Sequence, residues 1–372
     1  MINNPIHHLN ELKLSIWYDN INRGLLENGD IERMINAGDI QGMTSNPTIF
    51  EKAIAKSNSY DNALKPLIKS GYSPEDIFYK LAVEDIQNAA DLFLPLYRQT
   101  NGHDGYVSLE VSPFIANDTQ RTCEEAEKLW TLVDQPNVMI KIPATLEGID
   151  AVQRTIAKGI NVNVTLIFSR KRYEKVIDAF MQGIEERVNA GLTIESIASV
   201  ASFFISRVDS KVDKKLEEII SAKHPGSDKA SQLLGKVAIA NSQLAYLTYL
   251  DLFNSPRWLK LKQMGAREQR PLWASTSTKN PNYKDVMYVE GLIFPNTVNT
   301  VPHETLTYFK DHGNPMLSEI NNEKSLQIFS DLEQLGISMD VITRELEMEG
   351  VKSFSDSFTS LLKTIREKNI SL

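Results

Sequence analysis

Short runs rich in β-branched and aromatic residues recur along this chain with amphipathic helical stretches between them, and that alternation restricts its fold more than any other feature. Strand-like runs lie at residues 15–19, 40–43, 106–113, 138–145, 162–168, 197–204 and 271–276, with one more inside 290–301. Residues 9–14 form a short amphipathic lead-in. Helical patterning fills 20–36, 49–70, 74–99, 119–131, 148–158, 169–190 and 208–264, the last interrupted at His224-Pro225-Gly226, and returns from 321 onward. Alternating β and α segments imply a parallel sheet joined by right-handed crossovers. Eight such units predict an α/β chain closed into a (β/α)8 TIM-type barrel. An open doubly wound sheet is the alternative, but no strand here runs into a G-x-G-x-x-G turn. No charge run, low-complexity tract or internal repeat marks a boundary, so residues 1–372 read as a single barrel domain with additional C-terminal helices.

Composition narrows the function classes. The chain is 42% hydrophobic and 24% charged, ordinary for a globular protein, with a formal net charge of −8. That balance argues against nonspecific nucleic-acid binding, which needs basic surface. A local basic pocket for an anionic metabolite stays compatible with it. The lone cysteine, Cys123, excludes an intrachain disulfide and fits a reducing compartment. It falls in a helical stretch without a partner and reads as a buried or neutral residue. Residues 1–8 lack the basic and apolar regions of a secretory signal, and no run approaches the ~18 apolar residues of a membrane span. A cytoplasmic protein with no membrane partner is expected. The six histidines form no H-E-x-x-H or Cys/His cluster, and His7-His8 are placed in a mobile start, so no metal is expected.

Lys141 stands out in the run Val138-Met139-Ile140-Lys141-Ile142-Pro143-Ala144-Thr145. A strand of this composition belongs inside a parallel sheet with apolar neighbours on both faces. Desolvation disfavours an ammonium ion and favours the neutral, nucleophilic amine, which can attack a carbonyl and hold it as a Schiff base. Two other readings stand beside this one: an edge strand whose lysine snorkels to water, or a buried ion-pair partner. In a barrel, reactive side chains project from the C-terminal ends of strands. The polar groups there are Asp19, Thr44, Ser45, Asn46, Glu110, Lys141, Thr145, Asn163, Thr165, Ser202, Arg207, Ser275 and Lys279. Singly, Asp19 or Thr44 reads equally as a helix cap and Asn46-Pro47 as a turn. Glu110 is harder to dismiss, because an acid in an apolar strand needs a partner.

Seven blocks carry a family resemblance. They are Trp17-Tyr18-Asp19-Asn20, Gly42-Met43-Thr44-Ser45-Asn46-Pro47-Thr48, Ser108-Leu109-Glu110-Val111-Ser112-Pro113 and Met139-Ile140-Lys141-Ile142-Pro143-Ala144-Thr145. Asn161-Val162-Asn163-Val164-Thr165-Leu166-Ile167-Phe168-Ser169, Ser202-Phe203-Phe204-Ile205-Ser206-Arg207 and Leu272-Trp273-Ala274-Ser275-Thr276-Ser277-Thr278-Lys279-Asn280-Pro281 complete the set. In this order the chain resembles the transaldolases, class I aldolase-type barrels that move a dihydroxyacetone unit between sugar phosphates. The resemblance implies Lys141 as the Schiff-base lysine and Asp19 as the acid that takes and returns the proton of the substrate's C4 hydroxyl. It implies Glu110 and Thr165 as the pair that positions a catalytic water. Thr44, Ser45, Asn46, Asn163 and Ser202 match the substrate pocket, and Arg207, Ser275 and Lys279 match the phosphate site. Some relatives carry arginine where Lys279 stands. Small sugar phosphates are the implied partners, with no cofactor, and a monomer or homodimer. The implied reaction belongs to the pentose phosphate pathway: sedoheptulose 7-phosphate and glyceraldehyde 3-phosphate give erythrose 4-phosphate and fructose 6-phosphate. A fructose-6-phosphate aldolase and a noncatalytic sugar-phosphate-binding barrel are the alternatives.

Overall fold

A computed structural model describes residues 4–371, so the first three residues of the start discussed above lie outside the described residues. Eight strands form the centre: β1 (Leu14–Asp19), β2 (Gly42–Thr44), β3 (Val107–Glu110), β4 (Val138–Pro143), β5 (Val162–Ile167), β6 (Ser199–Phe204), β7 (Arg270–Ala274) and β8 (Thr297–Val301). They pair in parallel and in sequence order, and β8 closes back onto β1. Each of the eight expected runs overlaps one of these strands. Every residue of β4, β5 and β6 is buried, as expected of strands covered on one side by helices and on the other by the barrel interior. Helices follow the strands and form the outer layer, with two more, Asn322–Gln334 and Met339–Ser371, beyond the last barrel unit.

Periodicity located the helices better than it located their breaks. The stretch 20–36 is two helices, Arg23–Glu27 and Asp30–Asn36, parted where Gly29 takes φ +77°. Residues 49–70 hold Pro47–Ala55 and Asp61–Lys69, and 208–264 hold Ser206–Ser221, Ser227–Leu233, Val237–Leu252 and Pro256–Gln263. At the last of these joints Ser255 caps the new helix and Pro256 occupies its first turn. The lead-in at 9–14 is instead the end of a helix, Pro5–Glu11, capped by Asn4, and Leu14 already belongs to β1. His7 and His8 therefore sit in ordered helix, not in a mobile start; His7 Nε2 lies 2.7 Å from the Ala37 carbonyl. The helix His303–His312, which follows β8, was not anticipated.

Register decides what the barrel interior contains. Parallel pairing sets Glu110 beside Lys141 and Lys141 beside Asn163, while Ile140 sits beside Val162. Side chains alternate along a strand, so Glu110, Lys141 and Asn163 share one face and Ile140 and Val162 the other. An amine in an apolar strand is thus a layer of polar residues seen one strand at a time. At the opposite end of the barrel, Asp104 accepts from Ser15 Oγ (2.7 Å), Trp17 Nε1 (3.2 Å) and Arg270 Nη1 (3.1 Å), closing the floor with a buried polar cluster.

The helix Ser206–Ser221, which starts directly after β6, is held by a buried carboxylate. Asp209 accepts from Ala238 N at 2.7 Å and from Tyr288 Oη at 2.9 Å. Burial nevertheless pushes its pKa up to about 7, well above the ~3.9 of an unfolded chain, outweighing those hydrogen bonds. A raised folded-state pKa contributes stability that is complete below the unfolded value and is lost as pH rises through the folded one. Between pH 5 and pH 8 the protein is therefore expected to lose stability through Asp209. Urea denaturation should show a smaller pH 5-to-8 loss in Asp209→Asn than in the wild type; an equal loss in both would rule this group out as its source.

Candidate active site

At the C-terminal ends of the strands the polar residues picked out by sequence converge. Lys141 is 5% exposed in a barrel that has no edge strand, so it does not snorkel to water. Its Nζ donates to the Ser45 carbonyl at 2.9 Å and lies 3.3 Å from Glu110 Oε2. Burial pushes the Glu110 pKa up; the Lys141 ammonium draws it back and the charge of Asp19 adds to the rise. Apart from that ion-pair contact, Glu110 Oε2 has no hydrogen-bond partner, and Thr165 Oγ1 is also buried without one. Two orphaned oxygens on the interior face of the barrel leave hydrogen-bonding capacity that a bound molecule can fill.

The other groups divide into those that face the open space and those that brace it. Thr44 Oγ1 donates to Asp19 Oδ1 at 2.7 Å and meets Thr300 Oγ1 at 2.6 Å, which fixes the Asp19 carboxylate. Asn46 caps the helix Pro47–Ala55 through Oδ1, 3.0 Å from Ile49 N. That leaves its amide Nδ2 to donate elsewhere. Asn163 bridges two neighbours: Nδ2 donates to Ser108 Oγ (3.1 Å) and Oδ1 accepts from Ser202 Oγ (2.7 Å). Ser45 Oγ donates to the Ser108 carbonyl at 2.7 Å. Thr145 caps the helix Leu146–Ala157.

A cavity of about 300 Å³ opens over this layer. Asp19, Thr44, Asn46, Lys141, Thr165, Ser202, Arg207, Ser275 and Lys279 line it, together with Phe204 and Phe354. Ser45, Glu110 and Asn163 stand behind its wall. Arg207 places its guanidinium carbon 5.4 Å from the Phe204 ring centre and 6.0 Å from that of Phe354, within reach of both π faces. Burial holds its pKa down, against the opposing charges of Asp19 and Glu349. Burial likewise lowers Lys279, and the cations Arg207 and Lys52 lower it further. Ser275 adopts φ +58° just after β7, with its Oγ 3.0 Å from Ser206 Oγ. Leu166, next to Thr165, adopts φ +59° at an irregularity in the β5–β6 register. Non-glycine residues with positive φ are uncommon, and here one adjoins a lining residue and another is itself in the lining.

The profile of the Transaldolase/Fructose-6-phosphate aldolase family matches residues 16–365. The chain belongs to that family. It is 46% identical to the transaldolase of Parafrankia sp. (strain EAN1pec) and 44% identical to that of Thermobifida fusca (strain YX), covering 98% of both chains in each case. Against transaldolase 2 of Streptomyces coelicolor it is 43% identical over 96% of this chain and 95% of the relative.

Thr48, Lys52 and Phe354 are among the contributors to this transaldolase-family cavity that escaped the sequence reading. Thr48 and Lys52 come from the helix Pro47–Ala55, four residues apart and so on one face, and both line the cavity. That spacing was visible once the helix start at Asn46-Pro47 was recognised. Phe354 comes from the helix Met339–Ser371, more than seventy residues beyond the last motif block, and carried no local signal. That helix is pinned beside the cavity by Thr48 Oγ1 to Ser357 Oγ (2.8 Å) and by ion pairs from Lys211 to Glu345 (2.9 Å) and Glu349 (2.5 Å). Cys123 is buried and its thiol pKa is raised chiefly by burial, which suits an inert helix residue. Among the described residues no three His, Cys, Asp or Glu side chains group as a metal site would require, and no helix is long and apolar enough to cross a membrane.

The Lys141–Glu110 pair yields an asymmetric stability prediction. Lys141→Met strands a buried carboxylate, a change that typically costs about 3–5 kcal/mol. Without the ammonium, the already raised Glu110 pKa moves further above its unfolded value, so the deficit should widen as pH rises from 5 to 8. Lys141→Met combined with Glu110→Leu removes both charges and should recover most of the loss. Urea midpoints at the two pH values decide the matter; a deficit that does not change with pH would show that Glu110 is not its cause.

Proposed function

We propose that this chain is a transaldolase that works through a Schiff base on Lys141. The observation that carries the reading is a desolvated amine opening onto a cavity, with one carboxylate against it, a second in the cavity wall and cations elsewhere in the lining. A site that only binds sugar phosphates has no need of that amine. Lys141 Nζ attacks the C2 carbonyl of the ketose phosphate, and the carbinolamine loses water to give an iminium. Asp19 takes the proton of the C4 hydroxyl, the C3–C4 electron pair moves into the iminium, and the aldose phosphate leaves. The resulting enamine attacks the aldehyde carbon of the acceptor, and Asp19 returns the proton to the new hydroxyl. Hydrolysis of the iminium frees Lys141. The iminium is the electron sink, so these steps draw on no metal or cofactor.

Other roles follow from the contacts. The unpartnered oxygens of Glu110 and Thr165 suit the water that is lost and added at the carbinolamine stage. Asn46 presents an amide donor to substrate hydroxyls, while Thr44 and Ser202, whose own protons go to Asp19 and Asn163, present acceptor oxygens. Asn163 and Ser45 act one step back, Asn163 by orienting Ser202 and Ser45 by its carbonyl on Lys141. Arg207, Ser275 and Lys279 take the phosphate, Arg207 through a fork held between two rings and Lys279 as a point charge. Sedoheptulose 7-phosphate as donor and glyceraldehyde 3-phosphate as acceptor, giving erythrose 4-phosphate and fructose 6-phosphate, are the substrates we assign, within the pentose phosphate pathway and the cytoplasm.

The family also contains fructose-6-phosphate aldolases, which release free dihydroxyacetone. Phe204 lines the cavity and has no hydroxyl with which to protonate the enamine, which favours transfer over release.

Incubation with fructose 6-phosphate and borohydride, followed by peptide mass analysis, should locate a reduced three-carbon adduct on Lys141; an unmodified Lys141 would remove the covalent mechanism. Under conditions where its circular dichroism matches the wild type, Lys141→Ala should lose essentially all transfer. Asp19→Asn should lower kcat by roughly 10²- to 10⁴-fold, as expected for loss of a general acid–base. Dihydroxyacetone released without an acceptor as fast as transfer with one would assign the aldolase reaction instead.

A further inference from the structure

Four cationic side chains line the cavity, Lys52, Lys141, Arg207 and Lys279, against one carboxylate, Asp19. Lys141 has its counter-ion in Glu110. Among the described residues neither Lys52, Arg207 nor Lys279 forms an ion pair, although the protein carries eight more acidic than basic residues and pairs many of its other surface lysines and arginines. Both Arg207 and Lys52 lie close enough to Lys279 to disfavour its charge. Like charges gathered without a counter-ion raise the energy of the empty site, and a multiply charged anion between them relieves that cost. Lys52 is the one not explained by the residues that match the family's motifs. It is also held differently: Arg207 follows β6 and Lys279 follows β7, whereas Lys52 reaches in from the last turn of the helix after β2.

We propose that Lys52 is a phosphate-binding residue, the third cation of a cradle that recognises a dianionic phosphoryl group together with Arg207 and Lys279. The proposal deepens the transaldolase reading, on which it rests for identifying the anion as the phosphate of the sugar substrate. In chemical terms, the cradle selects a phosphate monoester over a carboxylate or a neutral sugar, because three cations are matched by two negative charges and several acceptor oxygens. Lys52 sits on an exposed helical turn with its Cβ-side neighbours Ala53 and Ile54 making the core contacts, so replacing its head group leaves the packing intact.

Calorimetric titration with inorganic phosphate tests the cradle without any reliance on turnover. Lys52→Gln should bind phosphate about tenfold more weakly than the wild type, the scale of one lost charge-assisted hydrogen bond. Lys52→Arg, which keeps the charge, should stay within about twofold. Lys56→Gln, one helical turn further along and outside the cavity lining, controls for net charge and should leave the affinity unchanged. Lys52→Gln indistinguishable from the wild type, Lys56→Gln as weak as Lys52→Gln, or no phosphate binding by the wild type would each overturn the proposal. Failure of the Schiff-base reading would appear elsewhere, as a missing borohydride adduct on Lys141, and would not alter the phosphate titration.

Discussion

The closed register of the barrel makes the Lys141–Glu110 pair possible and also makes it costly. Taking an ammonium and a carboxylate out of water carries a penalty of several kcal/mol per ion, which mutual attraction at 3.3 Å only partly offsets. An open sheet would let Lys141 escape along an edge; eight strands closed β8-to-β1 leave no edge, so the amine must be satisfied inside. What satisfies it is what the register brings alongside: Glu110 on one neighbouring strand, and the Ser45 carbonyl just beyond β2. Glu110 is not fully satisfied in return, nor is Thr165, and the surrounding network of Thr44, Thr300, Asn163 and Ser108 is occupied in holding the remaining polar groups in place. Stability is given up at the centre of this layer and recovered in the apolar strand faces and helices around it.

Much of this was legible in the chain because the fold repeats one rule eight times. A buried parallel strand demands β-branched, apolar residues, and polar exceptions near its end are conspicuous for that reason; Lys141, Glu110, Asn163 and Thr165 were found this way. Helix breaks were harder to read, since apolar spacing runs through a joint such as 28–29 or 254–256 without interruption, and only the caps mark it. Within the site, the residues reached by strand ends were visible, but which of them face the cavity was not. Asn163, read as a substrate contact, also binds Ser108 and Ser202 through the two ends of its amide, contacts that no local sequence signal announced. Lys52 and Phe354 lay outside the rule altogether, because helices and not strands deliver them.

Those two residues show how the elements outside the strand ring shape the site. The helix Met339–Ser371 packs along Pro47–Ala55, and the two together wall one side of the cavity. Gly350 meets the same Leu166 whose left-handed backbone follows Thr165; a Cβ there would fall 2.9 Å from the leucine side chain. Phe354, a few residues on, reaches Arg207. The long C-terminal helix therefore does more than complete the outer ring: it supplies one of the two aromatic faces against which Arg207 is held.

The result is a cavity with electrical polarity. At its base lies an ion-paired amine with acids around it; elsewhere in its lining lie Arg207, Lys279 and Lys52, which form no ion pair among the described residues. A ketose phosphate entering with its phosphate toward Arg207 meets uncompensated cations and leaves its carbonyl end for Lys141. The reversed molecule would bring its phosphate toward Asp19 and Glu110 and place a neutral end among the cations, so electrostatics opposes it at both ends. In the proposed reading orientation is thus enforced by charge before any hydroxyl is recognised, and the overall negative charge of the protein sharpens the contrast by leaving this cavity as a local exception. On that same reading donor and acceptor both carry their phosphate at the end away from the reacting carbon, so one cradle would serve the two half-reactions while the three-carbon unit waits on Lys141.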